Sequence, residues 1–312
     1  MNIAITGTNG FIAKNLIESL RARNINIVKI KRKKDNTGDS GNQFLLTSNG
    51  EDVLKNIDIV IHCAARVHKL NERKANVEKL YQESNVENTR RLAKHSIKSG
   101  VKKFIFLSSI KVNGEETKYN QFFNENSKAN PIDIYARSKY KAERELLLLK
   151  KNLKVVIIRP PLVYGPGVGA NFMKIISAVN KELPLPLKNI KNKRSFIYIK
   201  NLNAFIYECC INNNADNKIF TISDNCDLST NELIEKLNFH MNKNSLNFYI
   251  SEKILRFLFR IIRKEETFQK LIGSLRIDPT KSFKALKFHP PFTVDEGLKE
   301  TIIWYKSNYS KK

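Results

Sequence analysis

The first thirteen residues constrain the fold more than any other stretch. MNIAIT places Ile3 and Ile5 in a short apolar run that reads as a strand. GTNGFIA follows at once, and FIAKNLIESLRAR then repeats Phe11, Ile12, Leu16 and Leu20 at helical spacing. Strand, glycine turn and helix, in that order, predict a cradle for a dinucleotide. Gly7 allows the tight turn, Gly10 lets backbone N–H groups approach a pyrophosphate, and the helix opening near Phe11 points its positive end at that anion. Ala13 stands where a third glycine would allow close helix–strand packing, and a methyl group there is a small change. Gly7, Asn9, Gly10, Phe11 and Ile12 are the cofactor-binding candidates of this turn.

The remainder of the first half alternates strand and helix. INIVKI reads as a second strand, and it runs into Lys31, Arg32, Lys33 and Lys34, with Asp35 arriving late. An acidic residue here would hold a ribose 2′-hydroxyl, whereas basic residues suit a 2′-phosphate. Lys31 and Arg32 therefore favour NADP(H). NAD(H) is the alternative if the run is ordinary surface charge. Residues 35–50 are polar, with one possible short strand at Phe44–Leu46. IDIVIHCAA has the near-continuous apolar character of a central parallel strand, and small Ala64 and Ala65 at its end would let a cofactor lie across it. His62 reads as packed within that strand, and His68 is better placed to reach a ligand. A long helical segment spans about Val77 to Ser99. VKKFIFLSS is the next buried strand, closing on Ser108 and Ser109, and a loop follows to Asn130–Pro131. The helix IYARSKYKAERELLLLKK carries Tyr135 and Lys139. KVVIIRPP is another buried strand, ended by its proline pair, and YGPG is a turn. This alternation predicts a Rossmann-type, doubly wound parallel α/β sheet over residues 1–167. Shorter, less regular elements over 168–312 predict a smaller substrate-binding lobe, with some segments crossing back. RSFIYI and KIFTIS read as strands there, and Ser229 with Glu232 opens a helix by a capping box.

Tyr135 and Lys139 are four apart and share a helix face. If that face meets the strand end carrying Ser109, one site holds a phenol, an ammonium and a hydroxyl. The phenol's ordinary pKa of about 10 makes it a poor base, and a nearby lysine cation, helped by an oxidised nicotinamide, would favour its phenolate. Tyr135 could then exchange a proton with a sugar hydroxyl or ketone while a nicotinamide exchanges a hydride.

Charge and cysteine content bound the alternatives. Lysine and arginine total 55 against 30 acidic residues, a formal charge of +25. The excess is spread along the chain with no nucleic-acid-binding signature beside it, so a lysine-rich solvated surface is the plain reading and no nucleic-acid partner is expected. Cys63, Cys209, Cys210 and Cys226 show neither zinc spacing nor a disulfide framework, and no metal is expected. No run of eighteen apolar residues and no leader pattern appear, which predicts a cytoplasmic protein. KILRFLFRIIRK sets Lys253, Arg256, Arg260 and Arg263 along one helical face with bulky apolar residues opposite. Such a helix usually packs its apolar side on its own domain, and peripheral contact with an anionic membrane is the alternative.

Taken together, GTNGFIA, DIVIHCAA, FLSSIKVNGE, YARSK, VIIRPPLVYGPG, RSFIYIKNL and VDEGLKETIIWY resemble the extended short-chain dehydrogenase/reductases, in the nucleotide-sugar epimerase/dehydratase/reductase branch. The likeness covers nearly the whole chain. It implies that Ser109, Tyr135 and Lys139 are the catalytic set, that Ser108 and Pro161 line the cofactor, and that Ser109, Asn171, Arg194 and Arg276 meet a UDP-sugar. It also implies a homodimer. AARVH, SSIKVNGE and PPLVYGPGVGANF point to the group of that branch called UDP-glucose 4-epimerases, which includes reductases of UDP-4-keto-6-deoxy-N-acetylhexosamines in O-antigen and other surface-glycan synthesis.

Two features separate the activities. The basic run Lys31–Lys34 departs from epimerases that retain NAD and favours a reductase that consumes NADPH. Ser109 is followed by Ile110 and Lys111 rather than by the threonine and acidic residue of the branch's 4,6-dehydratases. A non-catalytic dinucleotide sensor or RNA-binding protein on the same fold is the rival reading, and the retention of both Tyr135 and Lys139 speaks against it.

Overall fold

The structure, a computed structural model, describes residues 1–30, 52–67, 74–263 and 265–309. The basic run Lys31–Lys34, the possible strand Phe44–Leu46 and His68 lie outside these residues. The elements in chain order are β1 (Asn2–Thr6), α1 (Phe11–Arg21), β2 (Asn26–Ile30), β3 (Ile59–His62), α2 (Lys74–Tyr81), α3 (Asn88–Lys98), β4 (Lys103–Leu107), α4 (Ile134–Leu148) and β5 (Lys154–Arg159). There follow β6 (Leu162–Tyr164), α5 (Ala170–Asn180), β7 (Phe196–Tyr198), α6 (Ile199–Ile211), β8 (Ile219–Thr221), α7 (Thr230–Met241), α8 (Glu252–Ile261), α9 (Glu265–Ile272), α10 (Thr280–Leu286) and α11 (Val294–Tyr309).

Six strands form one parallel sheet in the order β2-β1-β3-β4-β5-β8. Alternation along each strand sends successive side chains to opposite faces. Ile3, Ile5, Ile59, Ile61, Ile105, Leu107, Val156 and Ile158 meet α1 and α6 on one face. Ala4, Val60, Phe104, Phe106, Val155 and Ile157 meet α3 and α4 on the other. Burial on both faces explains why these strands read as unbroken apolar runs. Each large side chain taken fully from water contributes roughly 1.5–3 kcal/mol before chain entropy is counted.

The strand order reverses between β1 and β3. That is where open α/β sheets leave a crevice at the carboxyl ends of their strands. The glycine turn follows β1, and Ala64 follows β3, so both predicted cofactor segments flank the crevice.

Two expectations need correcting. The segment 77–99 is not one helix: a π-helical turn, Gln82–Glu87, separates α2 from α3. Widening the turn by one residue turns Asn85 and Val86 into the interior. The second half is also more regular than expected. Its helices α5, α6, α7 and α11 are 11, 13, 12 and 16 residues long. The Ser229–Glu232 capping box is present at the start of α7. β6 and β7 make a second, two-stranded parallel sheet, and β8 returns to the edge of the large one. Among the described residues no helix is long and apolar enough to cross a membrane.

Candidate active site

The glycine turn is built for close approach. Gly7 has φ +72°, and a Cβ there would stand 2.7 Å from the Ala64 nitrogen and 2.8 Å from its Cα. Only glycine allows both that dihedral and that contact with the end of β3. The Gly10 N–H donates to the Gly7 carbonyl at 2.8 Å, and Gly10 then caps α1 without any side-chain acceptor. The first turn of α1 contains no acidic residue. Its leading N–H groups, carrying the positive end of the helix dipole, suit a phosphate. These observations fit a dinucleotide pyrophosphate, and Gly7, Asn9, Gly10, Phe11 and Ile12 are the residues that would hold it. The YGPG turn closes over the same helix end: Asn15 Nδ2 donates to the carbonyls of Phe11 and Pro166, and Gly167 packs on the Phe11 ring.

A hydrogen-bonded chain runs behind the cradle. The Ala64 N–H donates to Thr6 Oγ1 at 3.1 Å, and Thr6 Oγ1 lies 2.6 Å from His62 Nδ1. On the other side of the ring, His62 Nε2 lies 2.9 Å from Thr89 Oγ1, which donates to the Asn85 carbonyl at 2.7 Å. Thr89 has one hydroxyl proton and gives it to Asn85, so it accepts from His62. Nε2 therefore carries the proton and Nδ1 accepts from Thr6. His62 is buried in its strand, as its sequence context predicts, and it also ties the cradle to the π-helical turn.

Asn85 carries the connection onward. Its Oδ1 accepts from the Arg66 N–H at 2.6 Å, and its Nδ2 donates to the Arg66 carbonyl and to Ser138 Oγ at 2.9 Å. Ser138 Oγ in turn donates to the Tyr135 carbonyl at 2.7 Å. The first turn of α4 is thus fixed from inside. Asp133 caps it from outside, accepting from the Ala136 N–H at 2.6 Å. Lys111 Nζ bridges Asp133 at 2.6 Å and Glu115 at 2.8 Å, so the turn beginning at Ser109 is clamped to the start of the Tyr135 helix. Ser109 Oγ accepts from the Lys111 N–H at 3.3 Å.

Tyr135 and Lys139 lie one turn apart on α4. Lys139 is 1% exposed, with its ammonium 3.9 Å above the centre of the Phe106 ring. Burial pulls its pKa down to about 7, against the opposing pull of Glu143 and of the Cys63 beside it. Burial pushes Tyr135 up to about 12, and Asp133 and Tyr81 add to the rise. Burial thus shifts both groups of the protein alone toward their neutral forms; the expected phenolate draws on an oxidised nicotinamide as well as on the lysine cation.

Glu143, one turn beyond Lys139, is 1% exposed and fully engaged. It accepts from Ser108 Oγ at 2.5 Å and takes Arg159 bidentately at 2.9 and 2.5 Å. Arg159 also donates to Asn113 Oδ1 at 3.1 Å. The Ser108 hydroxyl is therefore turned into this buried cluster, and any contact of Ser108 with a cofactor falls to its main chain. Pro161 follows directly, and the Pro160 carbonyl accepts from the Ile110 N–H at 3.0 Å, joining the end of β5 to the Ser109 turn.

Of the substrate-contacting candidates, Arg194 and Arg276 come to one junction of paired chain segments. Arg194 pairs with Leu228 and with Leu275, the neighbour of Arg276. The Arg194 guanidinium donates to the Gly273 carbonyl at 2.8 Å; burial lowers its pKa, opposed by Glu116 and Glu115. Arg276 Nε donates to Asp227 at 2.8 Å, and its guanidinium lies 4.0 Å over the Phe122 ring. Asn171 is on a different element, exposed in the first turn of α5. Lys31 and Arg32 fall outside the described residues.

Residues 3–223 match the profile of the NAD dependent epimerase/dehydratase family. The chain belongs to the NAD dependent epimerase/dehydratase family. A UDP-glucose 4-epimerase of Vibrio cholerae is 38% identical over 308 residues, covering 96% of this chain and 94% of that protein. An N-acetyl-alpha-D-glucosaminyl-diphospho-ditrans,octacis-undecaprenol 4-epimerase of Escherichia coli is 26% identical, covering 100% and 97%. The fold is shared with a UDP-glucuronic acid 4-epimerase of Bacillus cereus solved in complex with NAD: TM-score 0.79, 21% identity, 99% of this chain and 100% of that one. This family groups nucleotide-sugar epimerases, dehydratases and reductases, so the chain is an enzyme of that class rather than a non-catalytic relative of it.

Sequence reading missed Asn85, the Thr6–His62–Thr89 chain and the Glu143–Arg159–Asn113 cluster. Part of the signal was there: Asn85 and Thr89, like Lys139 and Glu143, are four apart on helical segments. Their partners come from other elements, and spacing within one helix does not name them.

Proposed function

We propose that this enzyme exchanges a hydride at C4 of a UDP-linked sugar, and that its reaction is the NADPH-dependent reduction of a UDP-4-keto-6-deoxy-N-acetylhexosamine for surface-polysaccharide synthesis. The observation that carries this reading is the placement of buried Lys139 one turn from Tyr135 on α4, a helix clamped through Asp133 and Lys111 to the turn of Ser109. A bound nicotinamide dinucleotide supplies the hydride. Ser109 Oγ hydrogen-bonds the C4 oxygen and orients it. Tyr135, which burial keeps as a phenol, donates its proton to that oxygen as the hydride arrives at carbon. Lys139 stands one turn away, poised near neutrality to gain a proton, and its charge would then stabilise the phenolate left behind. Arg194, Arg276 and Asn171 take the nucleotide and diphosphate end of the substrate. A retained proton on Tyr135 suits reduction, and the basic run Lys31–Lys34 suits the 2′-phosphate of NADPH.

The second reading is 4-epimerisation with NAD retained, favoured by the 38% identity to the Vibrio cholerae UDP-glucose 4-epimerase. One experiment separates them. Purified protein is incubated with UDP-4-keto-6-deoxy-GlcNAc and NADPH, and separately with UDP-GlcNAc. Stoichiometric NADPH oxidation supports reduction. Interconversion of UDP-GlcNAc and UDP-GalNAc without net cofactor change supports epimerisation and overturns the first reading. Inactivity in both assays would reject UDP-sugar C4 chemistry on these substrates.

A further inference from the structure

The expectation that the apolar side of the 253–264 helix packs on its own domain is only partly met. Helix α8 (Glu252–Ile261) is anchored by Leu255, which is 2% exposed, and by Phe259, whose ring lies 5.6 Å from that of Phe268. The rest of its apolar side faces outward. Ile254, Phe257, Leu258 and Ile261 repeat at i, i+3, i+4 and i+7 and are 52%, 62%, 45% and 61% exposed. Ile262, just past the helix end, is 54% exposed. Scattered single apolar residues on a surface are ordinary, but a stripe of bulky aliphatic and aromatic side chains along one helix face marks an interaction surface. Among the described residues nothing covers it.

Charge selects the occupant. Lys253, Arg256, Arg260 and Arg263 run beside the stripe, against Glu252 alone between residues 252 and 263. Arg256 pairs with Glu252 at 2.9 Å and Arg260 lies 3.8 Å from Glu265, but both pairs are solvent-exposed, where such contacts are weak. A second copy of a chain carrying +25 would bring like charge to this face. An anionic bilayer offers both what the stripe and what the cations want: an acyl boundary for Phe257 and its neighbours, and acidic headgroups for the arginines.

We propose that α8 docks this enzyme peripherally on an anionic lipid surface, lying in the interface with Ile254, Phe257, Leu258 and Ile261 inserted. The helix needs no rearrangement to do so, because the stripe is already outward.

The test uses the full chain with phosphatidylethanolamine/phosphatidylglycerol vesicles and, separately, phosphatidylcholine vesicles. The expected result is sedimentation with the anionic vesicles, about tenfold tighter than with the neutral ones and weakened by salt. Phe257→Asp with Ile261→Asp should weaken it at least about tenfold while thermal melting is preserved. Arg256→Gln with Arg260→Gln should remove the preference for the anionic lipid. A Phe257→Trp variant should be quenched by brominated lipid beyond the wild type, whose single tryptophan is Trp304. Three results would overturn the proposal: wild-type protein that does not sediment with either vesicle; binding to the anionic vesicles that salt removes but the aspartate pair leaves unchanged; or a wild-type dimer that the aspartate pair splits.

Discussion

Asn85 Nδ2 donates to Ser138 Oγ at 2.9 Å, joining the π-helical turn to the helix that carries Tyr135 and Lys139. The bond is buried, and the same side chain also holds both backbone polar groups of Arg66. Asn85→Ala would leave buried polar groups without partners, a cost of about 1–3 kcal/mol. It would also loosen the first turn of α4. The expected outcome is a lower urea midpoint and about a tenfold fall in kcat, a small displacement at a reacting centre being enough for that. Steady-state kinetics at temperatures well below melting separate the two effects.

Glu143 and Arg159 form the deepest ion pair among the described residues near the site. Glu143→Ala leaves Arg159 buried and uncompensated, which typically costs about 3–5 kcal/mol. Replacing both residues by methionine should restore most of that loss, because no lone charge remains. Equilibrium urea unfolding of Glu143→Met, Arg159→Met and the double variant gives the coupling directly.

Tyr135→Phe removes the proposed proton carrier and little else. Turnover should fall by about 10²–10⁴, the usual contribution of a positioned acid or base. Dinucleotide affinity, read by fluorescence titration, should stay within a few-fold of wild type.

Lys139 has a folded-state pKa lowered to about 7, against an unfolded value near 10.4. The unfolded chain binds this proton more tightly, so the group's contribution to stability rises as pH rises from about 7 to about 10.4 and is flat below 7. Lys139→Met should therefore gain stability relative to wild type as pH falls through that window, by a few kcal/mol in total. The check is the difference between the two urea-unfolding curves across pH, measured without cofactor.

Gly7→Ala puts a methyl group 2.7 Å from the Ala64 nitrogen at a φ of +72°. Either the turn or the end of β3 must shift. Dinucleotide binding by calorimetry should weaken at least about tenfold, with a loss of roughly 1–3 kcal/mol in stability.

How much of this was legible beforehand follows from the range of the interactions. The cradle, the central strands and the Tyr135–Lys139 helix were readable because each is a local pattern: an apolar run, a glycine turn, a four-residue spacing. The π-helical turn was not, since nothing in QESNVE distinguishes it from continuous helix until Asn85 finds Arg66 and Ser138. The burial of Tyr135 and Lys139 was not legible for a related reason. Sequence spacing gives a neighbouring charge but not the depth at which both groups sit, and that depth is the leading cause of both shifts. The outward stripe of α8 is the converse case: its amphipathic pattern was plain, but which side would meet the body depended on where Leu255 and Phe259 could seat.

The strand order carries one more consequence. β8 pairs with β5 through Ile157–Ile219, Ile158–Phe220 and Arg159–Thr221, although about sixty residues and an entire small sheet intervene. A fragment ending at Gly167 would expose that flank of β5 as an unsatisfied ladder, open to any other chain in an extended conformation. The amino-terminal half is thus not a detachable module: its last hydrogen-bonding seam is closed by a strand synthesised long after the Gly7–Gly10 turn has left the ribosome.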